Sequence, residues 1–158
     1  MNKTIILKEN YELVQLKIES LLEDESDWVS AMATVVCELH GNFPHFNWTG
    51  FYRVTSPQLL KIGPYQGSHG CLTIPFSKGV CGAAAREKLT QFVPNVHKRE
   101  DHIACSSSTL SEIVVPVMDA KQNVLAVLDI DSDIENAFSS LDKAFLENLC
   151  KYLGTKYG

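Results

Sequence analysis

The sequence predicts an α+β domain in which helices at both ends of the chain pack against a mostly antiparallel sheet. Apolar residues recur with helical spacing near both ends of the chain. Between these regions, apolar and polar residues alternate with the period of two that is typical of strands. A length of 158 residues suits one domain, so residues 1–158 are interpreted as a single domain. The terminal helices can cover one face of the sheet, while central loops cover the other face and enclose a pocket.

Three long helices are predicted from apolar faces with helical spacing. The first has an apolar face made of Tyr11, Val14, Ile18, Leu21 and Leu22. Ser26 is a suitable N-cap for the second helix, which ends at Gly41. The inward-facing residues of this second helix are Trp28, Ala31, Val35 and Leu39. The last helix begins after Ser139 and Ser140, and its inner face contains Leu141, Phe145, Leu149 and Tyr152.

Strands and one short helix are predicted between the terminal helices. The strands cover residues 45–54, 58–65, 91–93, 111–118 and 123–132, and the short helix covers residues 79–88. Turn signals lie at Ser56-Pro57 and at residues 119–122. They predict that the two strands on either side of each turn form a hairpin. Residues 94–109 show neither period and are predicted to form an ordered loop or lid.

The charge and hydropathy patterns exclude two classes of partner. Fourteen basic and nineteen acidic residues give a net charge of −5, and the basic residues are scattered, so nucleic acid is not an expected partner. The longest apolar stretch near the N-terminus is residues 5–7, which is too short for a signal peptide or a membrane span. We therefore expect no membrane association and a cytoplasmic location.

Five cysteines are the most unusual feature of this sequence. Cys37 and Cys150 fall among apolar residues of predicted helices and are expected to be small buried residues. Cys71, Cys81 and Cys105 lie in or beside loops, where a reagent could reach them. Because 34 residues separate Cys71 from Cys105, these thiols could either meet in the fold or be unrelated. A zinc site is disfavoured, since these residues lack the short ligand spacing of structural zinc sites.

Acidic and aromatic residues suggest a second candidate site. Asp129 and Asp131 continue one face of the last strand, and they either emerge into water or face a pocket and bind a cation such as a substrate ammonium group. Glu112 begins the preceding strand; it is either an exposed acid or a neighbour of these aspartates with a raised pKa. Trp48 and Tyr52 share a face of the first strand and form either core or an aromatic wall.

Five motifs in a fixed order resemble those of the free methionine-(R)-sulfoxide reductases, which are built on a single GAF domain. The motifs are NWTGFY, GPYQGSHGC, KGVCGAAA, HIACSSSTLSEIVVPV and VLAVLDIDS. The resemblance runs from about Asn47 to Ser132. It implies a GAF-like fold with a central antiparallel sheet of about six strands, terminal helices on one face and a loop-covered pocket on the other.

The resemblance also implies roles for the cysteines and for Glu112. Cys105 is the catalytic thiolate that attacks the sulfoxide sulfur and becomes a sulfenic acid, with Glu112 as the proton donor. Cys71 then forms a disulfide with Cys105, which a thioredoxin-type reductant reduces. Cys81 matches the third cysteine of the family and can serve as an alternative recycling thiol.

The remaining implications concern the substrate and its surroundings. Asp129 and Asp131 hold the amino group of free methionine-(R)-sulfoxide, and Trp48 and Tyr52 surround its methyl group. No cofactor and no metal are expected, and the resemblance is compatible with a homodimer. The alternative hypothesis is a non-catalytic GAF sensor domain that binds a small molecule without chemistry. A sensor would keep its function when Cys105 is replaced by serine, whereas an enzyme would lose turnover.

Overall fold

The computed structural model describes residues 3–99 and 108–158. The helices are α1 (Lys3–Leu21), α2 (Trp28–Asn42), α3 (Gly79–Glu87) and α4 (Ser140–Tyr157). The strands are β1 (Trp48–Ser56), β2 (Leu59–Gln66), β3 (Thr73–Pro75), β4 (Gln91–Val93), β5 (Ser111–Met118) and β6 (Val124–Ser132). A short 3₁₀ helix covers Val96–Lys98. None of the described helices is both long enough and apolar enough to cross a membrane.

The six described strands form one antiparallel sheet with the order β3-β2-β1-β6-β5-β4. The predicted α+β class and the sheet of about six strands are therefore confirmed. The predicted bounds of β4 and β5 agree with the structure, and those of the other predicted strands differ by one to three residues at an end. Strand β3 was not predicted, because a strand of only three residues cannot show a period of two.

The two faces of the sheet bury different cores. On one face, α1, α2 and α4 pack over a large core that includes Ile18, Leu39, Phe51, Leu128 and Leu149. This arrangement confirms that the terminal helices share one face. On the other face, α3 packs against β3, β4, β5 and β6 over a smaller core that also contains residues of β1 and β2. The described cover of this second face is therefore partly helical, whereas the sequence predicted loops.

Two details of α2 differ from the sequence-based expectation. The N-cap is Asp27, whose carboxylate accepts a hydrogen bond from the Ser30 backbone N–H at 2.7 Å, and not Ser26. Cys37 is exposed, so the prediction that it is buried is wrong. The buried face of α2 includes Ala31, Val35 and Leu39, and the 100° step per residue places Cys37 about half a turn away from that face.

The N-terminus of α4 contains a buried carboxylate with several partners. Asp142 and Ser139 form a capping box, in which Asp142 accepts a hydrogen bond from the Ser139 backbone N–H at 2.7 Å. The Tyr11 hydroxyl donates a hydrogen bond to Asp142. The Nε2 atom of His45 lies 3.3 Å from the Oδ1 atom of Asp142. Burial raises the pKa of Asp142, but hydrogen bonds from His45, Ser139 and Tyr11 outweigh it and hold the pKa at about 2.

This depressed pKa predicts a pH-dependent contribution to stability. The ordinary pKa of an unfolded Asp is about 3.9, so ionised Asp142 stabilises the fold by about 2 kcal/mol above pH 4. The contribution is lost as the pH falls through the folded pKa of about 2. Urea unfolding of wild type and Asp142→Asn should differ most at pH 7 and converge toward pH 2. Asp24→Asn, which changes an exposed carboxyl, is the control. A difference that does not change with pH would contradict this prediction.

Candidate active site

Three neighbouring strands place acidic and aromatic side chains in rows on the face that α3 covers. Asp131 on β6 pairs with Glu112 on β5 and with Trp48 on β1. In the next row along the same face, Asp129 pairs with Val114 on β5 and with Gly50 on β1. The period of two therefore puts both aspartates and Glu112 together, and we call Glu112, Asp129 and Asp131 the acidic cluster.

The acidic cluster is buried and does not emerge into water. Glu112 and Asp129 are only 6% and 5% exposed, and Asp131 is partly buried. Burial raises the pKa of Glu112 well above its ordinary range, and the charges of Asp129 and Asp131 raise it further, against a smaller opposing effect of Arg99. Burial likewise raises the pKa of Asp131. Of the two environments the sequence left open for these acids, the structure shows the buried one.

Hydrogen bonds distinguish the two closest carboxyls of the cluster. Burial raises the pKa of Asp129 to about 7, and hydrogen bonds from Cys81 and Glu112 keep it from rising further. Hydrogen bonding between the two carboxyls raises the pKa of Glu112 and lowers that of Asp129, which favours Glu112 as the donor of the pair. The raised pKa of Glu112 favours its protonated form, which is the form that a general acid requires.

An aromatic wall lies beside the acidic cluster on the same face. The Trp48 ring stacks on Tyr52, with 5.9 Å between ring centroids, and on Tyr65, with 5.4 Å between centroids. The indole N–H of Trp48 donates to the Ser68 carbonyl at 2.8 Å, which fixes the plane of the ring. Gly50 is required here, because a Cβ at this position would lie 2.5 Å from the Trp48 ring and from the Tyr65 Cβ.

Tyr65 belongs to this wall although the sequence analysis did not select it. It lies on β2 directly opposite Gly50 on β1. The predicted hairpin could have identified Tyr65. An aromatic residue that pairs with a glycine on the neighbouring strand can cover the space that the glycine leaves. Arg99, which acts on Glu112 through its charge, was also missed. Arg99 is far from the acidic cluster in the sequence, so only the fold reveals this relationship.

The cysteines differ in accessibility from the sequence-based expectation. Cys71 is partly buried and disulfide-bonded. Cys81 is buried, so the expectation that a reagent could reach it directly is wrong. The reason is that α3 lies flat on the sheet and turns this residue toward the acidic cluster. Cys150 is buried in the core beneath α4, as predicted. Cys105 lies outside the described residues.

The Cys81 sulfur and one carboxylate oxygen each of Glu112 and Asp129 lie within 4.8 Å of one another. Such donors suit a divalent metal in principle. Hydrogen bonding to Cys81 and Glu112 lowers the pKa of Asp129, so these three groups also lie close enough to share protons. The arrangement is a buried cluster of ionisable groups whose chemistry suits the binding of a cation or the transfer of a proton.

The chain is similar to known proteins along most of its length. The chain matches the GAF domain family over residues 23–155. It is 38% identical to the free methionine-R-sulfoxide reductase of Saccharomyces cerevisiae over 97% of this chain and 86% of that protein. It is 34% identical to the Escherichia coli reductase of the same name, over 97% of this chain and 89% of that protein.

A solved structure shows the same relationship in three dimensions. The free methionine-R-sulfoxide reductase of Neisseria meningitidis, solved in complex with its substrate, superposes with a TM-score of 0.88 and 40% sequence identity. The superposition covers 93% of this chain and 87% of the Neisseria chain. The chain belongs to the free methionine-R-sulfoxide reductase family. In this member of the family, the described residues that the sequence predicted for the site lie on or beside the sheet face that α3 covers.

Proposed function

We propose that this protein reduces free L-methionine-(R)-sulfoxide to L-methionine. The observation that carries the proposal is the position of Glu112, which is buried in an acidic cluster beside the wall formed by Trp48 and Tyr52, where burial and the neighbouring aspartates raise its pKa. A sulfoxide oxygen must gain protons before it can leave the sulfur, so a carboxylic acid that remains protonated at neutral pH is the group this reaction needs. Reductases of this name among the relatives support the assignment.

The substrate contacts follow from the chemistry of the same face. Asp129 and Asp131 bind the ammonium group of the amino acid through charge-assisted hydrogen bonds. Trp48 and Tyr52 surround the S-methyl group, because aromatic faces attract polarised methyl and sulfur groups. A buried ammonium site favours the free amino acid, since a peptide-bound residue has no ammonium group and carries chain on both sides.

The redox steps are assigned to two cysteines. The Cys105 thiolate attacks the sulfoxide sulfur, the S–O bond breaks, and the oxygen ends on Cys105 as a sulfenic acid while methionine leaves. Glu112 supplies the proton to this oxygen. The Cys71 thiol then attacks the Cys105 sulfur, releases water and leaves a Cys71–Cys105 disulfide. Two observations support this pairing: Cys71 is disulfide-bonded, and Cys37, Cys81 and Cys150 are free.

A thioredoxin-type dithiol completes the cycle by thiol exchange with the disulfide, which returns both cysteines to thiols. Cys71 is partly exposed, and its neighbour Leu72 is 71% exposed, so a protein reductant has apolar surface to contact beside the reactive bond. Such recycling requires a reducing compartment, and we therefore place the protein in the cytoplasm.

The experiment that tests the function is turnover with defined substrates. The protein is incubated with dithiothreitol and with the free (R)-sulfoxide, the free (S)-sulfoxide or N-acetylmethionine-(R)-sulfoxide, and the reduced product, methionine or N-acetylmethionine, is quantified. We expect product from the free (R)-sulfoxide alone. Absence of methionine from this substrate would contradict the function, and binding of it without turnover would favour a non-catalytic GAF sensor.

We also propose that two copies of the chain pair through α1. The side of α1 opposite its buried face carries Ile6, Leu13 and Leu16, and the two leucines are 66% and 64% exposed. A twofold pairing of identical helices would cover this stripe with an equally apolar one. Sedimentation velocity should show a dimer for wild type and for Leu89→Glu, which changes an exposed leucine elsewhere, and a monomer for Leu13→Glu/Leu16→Glu. A monomeric wild type would contradict this pairing.

A further inference from the structure

Cys81 is a buried thiol in contact with the acidic cluster, and the reaction proposed above does not use it. It lies in the first turn of α3 and is 3% exposed. Its sulfur and carboxylate oxygens of Asp129 and Glu112 lie within 4.8 Å of one another, and it is hydrogen-bonded to Asp129. The other described buried cysteine, Cys150, lies in the core beneath α4, on the opposite side of the sheet.

The close approach of α3 to its preceding turn fixes the position of the Cys81 sulfur. A Cβ at the adjacent Gly82 would lie 2.6 Å from the Pro75 carbonyl oxygen and 2.9 Å from that of Phe76, so the helix backbone is seated directly on the β3–α3 turn. Val80 and Ala84 pack into the same small core. The thiol is therefore held against the carboxyls by backbone packing on one side and by the sheet on the other.

We infer that Cys81 is a positioning residue: its neutral thiol donates a hydrogen bond to Asp129, so that Asp129 remains the anion of the carboxyl pair and Glu112 keeps the proton for the sulfoxide oxygen. The inference rests on the proposed function and deepens it. The thiol exchanges no electrons in this role, and its proton stays on sulfur throughout the reaction.

The surroundings of Cys81 favour this role over that of a recycling thiol. A cysteine near a helix N-terminus ordinarily has a lowered pKa. Here burial raises the pKa of Cys81 well above its ordinary value, and the charges of Asp129 and Glu112 raise it further. Thiol exchange needs a thiolate, so a buried thiol with such a pKa is a poor nucleophile and a suitable donor.

The expected pH effect depends on every titratable group that faces Asp129. These groups are Cys81 from α3, Glu112 from β5, Asp131 from β6 and Tyr52 from β1, with Arg99 acting on Glu112. Removal of the Cys81 donor destabilises the Asp129 anion while the other groups stay in place. The pH at which this anion forms therefore rises, and the acid limb of the kcat/KM profile moves to higher pH.

The test compares Cys81→Ala, which removes the donor, with Cys81→Ser, which keeps an O–H donor at the same position. For Cys81→Ala we expect the acid limb to move up by about one pH unit, with roughly a tenfold loss of kcat/KM below that limb. Cys81→Ser should keep the acid limb close to its wild-type pH and should retain most of the wild-type kcat/KM. Cys37→Ala, an exposed cysteine, should match wild type. Thermal melts identify any variant with a damaged fold.

A second measurement distinguishes positioning from redox chemistry without relying on these substitutions. Reduced Cys71→Ser protein is given one equivalent of the free (R)-sulfoxide and trapped with iodoacetamide after unfolding, and its peptides are mapped. We expect alkylated Cys81. A disulfide to Cys81, or a Cys81→Ala profile equal to that of wild type, would overturn the inference while wild-type turnover still supported the proposed function. If wild type itself forms no methionine, the proposed function fails.

Discussion

Replacement of Glu112 by Gln is expected to lower kcat for free methionine-(R)-sulfoxide by roughly 10²–10⁴-fold, which is the usual contribution of a general acid. The amide has the shape of the carboxylic acid but has no acidic proton to give to the departing oxygen. Because Asp129 and Asp131 remain to bind the ammonium group, KM should change much less than kcat. Steady-state kinetics with dithiothreitol as the reductant measure both quantities.

The controls for Glu112→Gln separate chemistry from folding. Glu112 is buried beside two other carboxyls, so a neutral amide should leave the free energy of unfolding unchanged or increase it. Glu87→Gln changes an exposed glutamate at the end of α3 and should retain wild-type kcat. A Glu112→Gln enzyme with kcat within about threefold of wild type would exclude Glu112 as the proton donor.

Cys105→Ser is expected to abolish methionine formation, whereas Cys71→Ser should preserve the first turnover. Cys105 is proposed to accept the oxygen atom, and a serine hydroxyl cannot form the sulfenic acid. Cys71 acts only after this step, so without Cys71 the sulfenic acid on Cys105 should persist until an external thiol reduces it. Rapid-quench measurement of methionine during the first turnover, followed by steady-state rates with a thioredoxin system, separates these two steps.

Cys37→Ser and Cys150→Ser provide matched controls for the cysteine variants. Cys37 is exposed and Cys150 is buried in the core beneath α4, and neither lies on the face that carries the acidic cluster. Both variants should form methionine at the wild-type rate, with Cys150→Ser alone losing stability because a hydroxyl is buried in an apolar core. Full steady-state turnover by Cys71→Ser with thioredoxin would exclude Cys71 as the main resolving cysteine.

The sequence was sufficient to predict features that depend on local periodicity. Alternation placed Asp129, Asp131, Trp48 and Tyr52 on defined faces, and the structure confirms that these faces coincide across β1 and β6. The hairpin of β5 and β6 likewise brings Glu112 opposite Asp131. In an antiparallel pair the register follows from the turn and from the buried face, so short-range information determines which side chains meet.

Features that depend on how elements pack could not be predicted in this way. The burial of Cys81 results from the docking of α3 on the sheet, a contact between elements that no local period encodes. The exposure of Cys37 depends on which side of α2 faces the sheet. Its buried neighbours Val35 and Val36 are apolar, so the local sequence incorrectly suggested that Cys37 is buried as well. The strand β3 exists because it pairs with β2, although its three residues carry no recognisable pattern.

A single turnover without added reductant tests the proposed reaction most directly. Fully reduced protein is mixed with excess free methionine-(R)-sulfoxide, the released methionine is quantified, and cysteine-containing peptides are mapped by mass spectrometry. We expect about one methionine per chain, because one Cys71–Cys105 dithiol supplies the two electrons that reduce one sulfoxide. The same sample should contain linked Cys71 and Cys105 peptides, with Cys37, Cys81 and Cys150 unlinked. Release of no methionine, with all five cysteines still reduced, would contradict the proposed reaction.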